Sequence, residues 1–186
     1  WAATTSRAVV TPLKDPSPAA ATSLGLTATP QWLEFVTFVE GRAPAPSIGI
    51  AAEPAAESTL EPVEIALSVG AAEQTDIGIG DLLELSGALL VVSGLYEPTD
   101  PADGIWEHRP FLRDAVKGRD DTGRTTYIAD VLVDPESTIA LATNFANARI
   151  DAWYPLQIDE VTFDQLPRIA EQIRELGAGV VGLYSG

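Results

Sequence analysis

Apolar and polar positions alternate in some stretches of this chain, run together in others, and recur at helical spacing near its end. "VEIAL" (63–67) alternates, placing Val63, Ile65 and Leu67 on one face, and predicts a half-buried strand. "ALLVVSGLY" (88–96) is apolar without alternation, which predicts a strand covered on both faces. "WLEFVTFVE" (32–40), "TTYIADVLV" (125–133) and "ARIDAWY" (148–154) carry the aromatic and β-branched residues of strands. Between the alternating strand and "LLEL", the segment from Ser68 predicts a short helix capped by that serine and stopped at Gly78. A Gly80–Asp81 turn then leads into the next strand. In "RPFLRDAVKG", Phe111, Leu112, Ala115 and Val116 fall on one face of a predicted short helix ended by Gly118. A short helical piece is expected around "PESTIALA". The strongest helical stripe is Leu166, Ile169, Ile173 and Leu176. Thr162 with Gln165 makes a capping-box pattern, but Asp164 is the preferred N-cap because it places Pro167 where no backbone donor is lost.

The remaining stretches predict little regular structure. Residues 1–30 read as an irregular N-terminal segment with an edge strand at best, "AVV" before Pro12, and a loop through "KDPSPAAATS". Residues 41–62 are a Pro/Ala/Gly loop, and 63–176 the main body. Strands and helices are interspersed with uneven connections, so the fold class is α+β: mixed sheet with short helices packed on it, in a single domain over 1–186.

The formal charge of −16 turns the functional reading away from nucleic acid and from anionic membrane surfaces, both of which need a basic field. Cysteine is absent, which removes disulfides, thiolate metal sites and a cysteine nucleophile. No apolar run approaches the roughly 18 residues of a membrane span, no signal peptide is visible, and the abrupt ends suggest a piece of something longer. Neither a Gly-x-Ser-x-Gly elbow nor a phosphate-loop lysine is present, and "GIGDLLEL" lies between a helix and a strand, the wrong order for a dinucleotide loop. No catalytic residue, cofactor or metal is expected.

Two constellations remain. Glu97, Asp100 and Asp103 lie three residues apart in "YEPTDPADGIWEH", followed by an exposed-looking Trp106 and the lone His108. Hard oxygen ligands on a loop suit calcium. The spacing is not the alternating pattern of a helix–loop–helix site, and Pro98 and Pro101 point to a stiff loop whose acids face water or form local turns. The second constellation is basic. Arg109, Arg113 and Lys117 recur every four residues, opposite the apolar face of the predicted helix: either a solvated face or a docking surface for an acidic partner.

The order "VEGRAPA", "VEIALSVGAAEQTDIGIGDLLEL", "LLVVSGLYEPTDPADGIWE" resembles the extracytoplasmic domain of FtsX-like (MacB-like) ABC transporter permeases of actinobacterial type. The matching elements are Gly41, Arg42 and Pro44; Gly80 and Asp81; and Val91 through Pro101, with Trp106. Ser93, inserted before Gly94, departs from the pattern, and the likeness runs over roughly residues 35 to 176. The resemblance implies a MacB-like core and a domain tethered by membrane spans at the outer face of the cell membrane. Its partners would be the rest of the permease, an ATPase subunit and an extracytoplasmic protein or transported substrate, and it would do no chemistry of its own. The alternative is a secreted binding module, for calcium, peptide or glycan, using the loop from Asp100 to Trp106.

Overall fold

In the computed structural model, which describes residues 2–5, 7–14, 20–29, 31–47, 62–137, 148–151, 162–171 and 174, the elements run β1 (Ala2–Thr5), β2 (Ala8–Pro12), β3 (Ala21–Ala28), α1 (Trp32–Phe35), β4 (Val36–Gly41), β5 (Val63–Ser68) and α2 (Val69–Thr75). They continue with β6 (Leu82–Leu85), β7 (Ala88–Pro98), α3 (Ile105–His108), α4 (Pro110–Arg113), β8 (Val116–Arg119), β9 (Thr125–Val133) and β10 (Ala148–Asp151). Six strands pair in a ring, β3–β2–β6–β7–β5–β9, closed by parallel pairing of β9 with β3. The fold is α+β, with the expected sheet closed into a barrel.

Inward positions of all six strands fill the barrel: Val10, Leu24 and Leu26, Ile65 and Leu67, Leu83 and Leu85, Leu90 and Val92, Ala129 and Val131. Each strand places every second side chain inside. A smaller second core lies against the outer face. Ala66 and Leu132 point away from the barrel interior and are covered by Trp32, Tyr96, Ile105, Trp106 and Leu112. β5 is therefore buried on both faces, where alternation alone predicts one.

Several expectations change. The segment read as irregular forms strands. β2 is not an edge but lies between β3 and β6, and Pro12 is tolerated at its last residue. β3 falls partly in the predicted loop and pairs with β9 over seven residues. Its small-residue composition hid it: Gly25 is required because a Cβ there would sit 2.5 Å from the Asp130 carboxylate. Residues 32–35 form a helical turn before β4 rather than the start of a strand. Ser68 caps α2 as expected, accepting from the Ala71 N–H at 3.1 Å, but the helix ends at Asp76 in the left-handed region, not at Gly78.

The chain divides into two compact units, Trp1–Ala152 and Trp153–Gly186. In the second, a 3-10 turn over Phe163–Gln165 runs into helix from Leu166. Its cap is the Thr162/Gln165 box, not Asp164: the Gln165 side chain accepts from the Thr162 N–H at 3.2 Å. The 3-10 turn resolves the proline problem, since it leaves Pro167 near the beginning of the α-helical stretch. Residues 48–61 of the predicted 41–62 loop, most of the helical piece around "PESTIALA" (after Ser137), residues 152–154 of the predicted strand, and Ile173 and Leu176 lie outside the described residues.

Candidate functional site

The motifs singled out in the sequence converge on β7. Gly41 of β4 faces Gly94 of β7, and each is a place where only glycine fits. A Cβ on Gly41 would lie 2.2 Å from the Ser93 carbonyl, and one on Gly94 would lie 2.2 Å from the Arg42 carbonyl. Arg42 then forms a forked pair with Glu64 of β5 at 2.6 and 2.5 Å. On the other side, the Gly80 N–H donates to the Val92 carbonyl at 2.9 Å and the Val92 N–H to the Asp81 carbonyl at 3.1 Å. The Asp81 carboxylate accepts from the Gly78 N–H and from Lys14, at 2.8 and 2.6 Å. Ser93, the departure from the family pattern, is the extra residue of a β-bulge: Ile65 pairs with Val92 and Ala66 with Gly94, leaving Ser93 to donate to the Ile65 carbonyl at 3.1 Å. The bulge turns Val92 into the barrel and Tyr96 into the outer core.

The acidic loop is built on its own hydrogen bonds. Asp100 accepts from the Ala102 N–H and Asp103 from the Ile105 N–H, both at 2.9 Å, while Glu97 is exposed. Trp106 is a correction to the sequence reading: it is 2% exposed, and its indole N–H donates inward to the Asp100 carbonyl at 2.9 Å. It is a core residue that fastens the loop, with no face to offer a ligand. His108 is exposed at the end of α3. Among the described residues no group of three or more His, Cys, Asp or Glu is placed to hold a metal ion.

The basic stripe does not form. The predicted helix over 110–117 is a single turn, α4, and Val116 opens β8, paired antiparallel to β9. The short β-branched and glycine-containing "VKGR" pairs with β9 instead of continuing the helix. Arg109 stands at the N-cap position of α4, Arg113 pairs with the neighbouring Asp114 at 2.7 Å, and Lys117 lies on strand β8, so no one helix carries the three. Of the predicted apolar face, Leu112 and Ala115 are buried and Val116 is exposed.

Two features escaped sequence reasoning. Arg7 reaches the buried Asp130 carboxylate through two 2.8 Å bonds and lies over the Phe111 ring, 4.1 Å from its centre. Burial pushes the Tyr96 phenol far above its usual range, with the Asp130 charge adding to it, and its hydroxyl donates to the Leu112 carbonyl at 2.7 Å. The lone acid inside "TTYIADVLV" was the available signal, because a carboxylate in a buried strand requires a cation. The second feature is an open cleft of about 330 Å3 walled by Trp32, Leu33, Phe38, Pro44 and Leu132, with Asp134 and Glu136 in its lining. Trp32 is held by ring contacts to Trp106 and Phe35, at 5.8 and 6.1 Å between centres, and its buried indole N–H meets no acceptor among the described residues. Nothing in the sequence marked it, because the cleft joins residues a hundred positions apart.

Comparison with protein-family models, with curated proteins and with solved structures finds no match for this chain.

Proposed function

We propose that this chain is an extracytoplasmic domain of an FtsX-like ABC transporter permease, which transmits conformational change or contacts substrate and partner outside the membrane without chemistry of its own. The observation that carries the reading is the convergence of the quoted motif residues on β7. Gly41 and Gly94 permit β4 to lie against β7, Arg42 ties β4 to β5, and the Gly80–Asp81 turn docks β6 on Val92. Motifs of that kind specify an architecture rather than a reaction, as expected of a domain that passes on motion. The inserted Ser93 is absorbed as a bulge, so the departure from the family pattern leaves the pairing on both sides intact. The finer expectation of a MacB-like core rests on the motifs, while the six-stranded ring is the architecture observed.

ATP would be bound by a separate subunit. What weighs against the alternative loop-based module is that Trp106 is buried and that Asp100 and Asp103 each accept a turn hydrogen bond. The coding sequence on either side of this segment tests the proposal. Apolar spans of roughly 20 residues on both sides agree with it. A signal peptide before the segment and a stop codon directly after it would overturn it.

A further inference from the structure

We infer that the free edge of β8 is a docking site for an extended acidic segment of a partner protein, added to the sheet as an antiparallel strand with carboxylates at alternate positions. The inference does not rest on the permease reading. Among the described residues β8 pairs with β9 alone, and all four of its residues, Val116–Arg119, are exposed. The Asp120 N–H donates to the Arg124 carbonyl at 3.0 Å, so this pair bonds across the hairpin. Bonded and non-bonded pairs alternate along an antiparallel ladder, so Gly118 with Thr126 and Val116 with Ile128 bond inward as well. Lys117 and Arg119 therefore aim their backbone N–H and C=O groups at the open edge.

The same two residues carry the charge. They are two positions apart, so their side chains lie on one face of the ladder. Among the described residues neither meets a carboxylate, and the Arg119 guanidinium reaches only the Gly123 carbonyl, at 3.4 Å. An added strand supplies partners for the open backbone groups, and acids at its every second residue answer the two cations. A second copy of β8 does not suit, because antiparallel pairing would set Lys117 against Arg119. The hairpin holds the edge ready: the Asp120 carboxylate accepts from the Thr122 and Arg124 N–H groups, both at 2.9 Å. β4 also pairs on one side only, with β7, but a bulge between Phe38 and Glu40 breaks its ladder and blunts that edge.

The test is a titration of the isotopically labelled chain with acetyl-Thr-Glu-Val-Glu-Val-Thr-amide, following the backbone amide resonances. Those of Lys117 and Arg119 are expected to move downfield and saturate in the millimolar range or tighter. Acetyl-Thr-Val-Glu-Glu-Val-Thr-amide has the same charge but turns its carboxylates to opposite faces, and is expected to bind about threefold more weakly. Methylating the backbone nitrogens of the two glutamates in the first peptide, which would face β8, is expected to abolish binding. Methylating those of its two valines, which would face away, is expected to leave binding in place. Lys117→Gln combined with Arg119→Gln, both exposed, is expected to keep the fold and to weaken the first peptide by about threefold to tenfold. If the Lys117 and Arg119 amides do not move, or if the two acidic peptides bind equally, the inference is overturned. Shifts of those amides on raising the concentration of the chain alone also overturn it, since a second copy then takes the edge. So do shifts spread over other basic residues that vanish at moderate salt, which report charge attraction without a site.

Discussion

Gly94→Ala tests most directly whether the β4–β7 contact organises this fold. The added Cβ would stand 2.2 Å from the Arg42 carbonyl oxygen, 2.9 Å from its carbon and 2.9 Å from the Phe38 ring. Ordinary contact begins near 3.4 Å, so the strands must part by roughly 1.2 Å at a point where both neighbours are backbone or packed aromatic. Parting them stretches the Arg42 N–H to Ser93 carbonyl bond, now 2.9 Å, and drags Arg42 away from Glu64. Overpacking of this kind costs about 1–3 kcal/mol, and each displaced hydrogen bond costs about 1 kcal/mol more. A loss of about 3 kcal/mol corresponds to a Tm lowered by roughly 6–12 °C in a chain of this size. Gly104→Ala is the control. Gly104 has φ −59° and ψ −15°, helical values, and no atom lies within 4 Å of the added methyl. That change should be neutral or stabilise by up to about 1 kcal/mol. Thermal melting of both variants decides the matter. If Gly94→Ala melts within about 2 °C of Gly104→Ala, the contact is slack and the steric argument fails.

Other changes probe different parts of the molecule. Arg7→Met strands the Asp130 carboxylate in the barrel wall and should cost about 3–5 kcal/mol in urea unfolding, with Asp130→Leu added to it restoring much of the loss; a loss below about 1 kcal/mol would mean that Asp130 finds another partner. Ser68→Ala removes the α2 cap and should cost about 1 kcal/mol, whereas Thr162→Ala, in an exposed cap of the second unit, should leave the main transition unchanged. Burial raises the Glu64 carboxyl, but the Arg42 guanidinium and the Ala45 N–H outweigh it and hold its pKa below the usual 4.5. A depressed pKa contributes stability that is complete above the ordinary value and is lost as pH falls through the folded one. The stability gap between the native chain and Glu64→Gln should therefore narrow below about pH 4.5, and a gap constant down to about pH 3 would refute it. Melting in EDTA and in millimolar calcium should coincide, because Asp100 and Asp103 already accept backbone hydrogen bonds; a rise of many degrees with calcium would restore the loop as a metal site.

Local chemistry was legible wherever a few neighbouring residues settle the outcome. The strands at 63–67, 82–85, 88–96 and 125–133, the Ser68 cap, the Gly80–Asp81 turn and the local turns of the acidic loop all follow from spacing and side-chain type. Tertiary structure decided what depends on partners distant in the chain. β3 is a strand because β9 pairs with it in parallel and Gly25 leaves room for Asp130, although its own composition reads as loop. Lys117 left the predicted helix because β9 offered Val116–Arg119 a ladder, and that pairing separated the three cations. Trp106 looked exposed among acids and prolines, yet the outer core had a place for its ring and the Asp100 carbonyl an acceptor for its N–H. The cleft at Trp32 belongs wholly to this second kind. It exists only because closing the barrel brings the end of β9 beside α1 and the Ala43–Pro44 segment, and no periodicity within any one of them encodes that meeting.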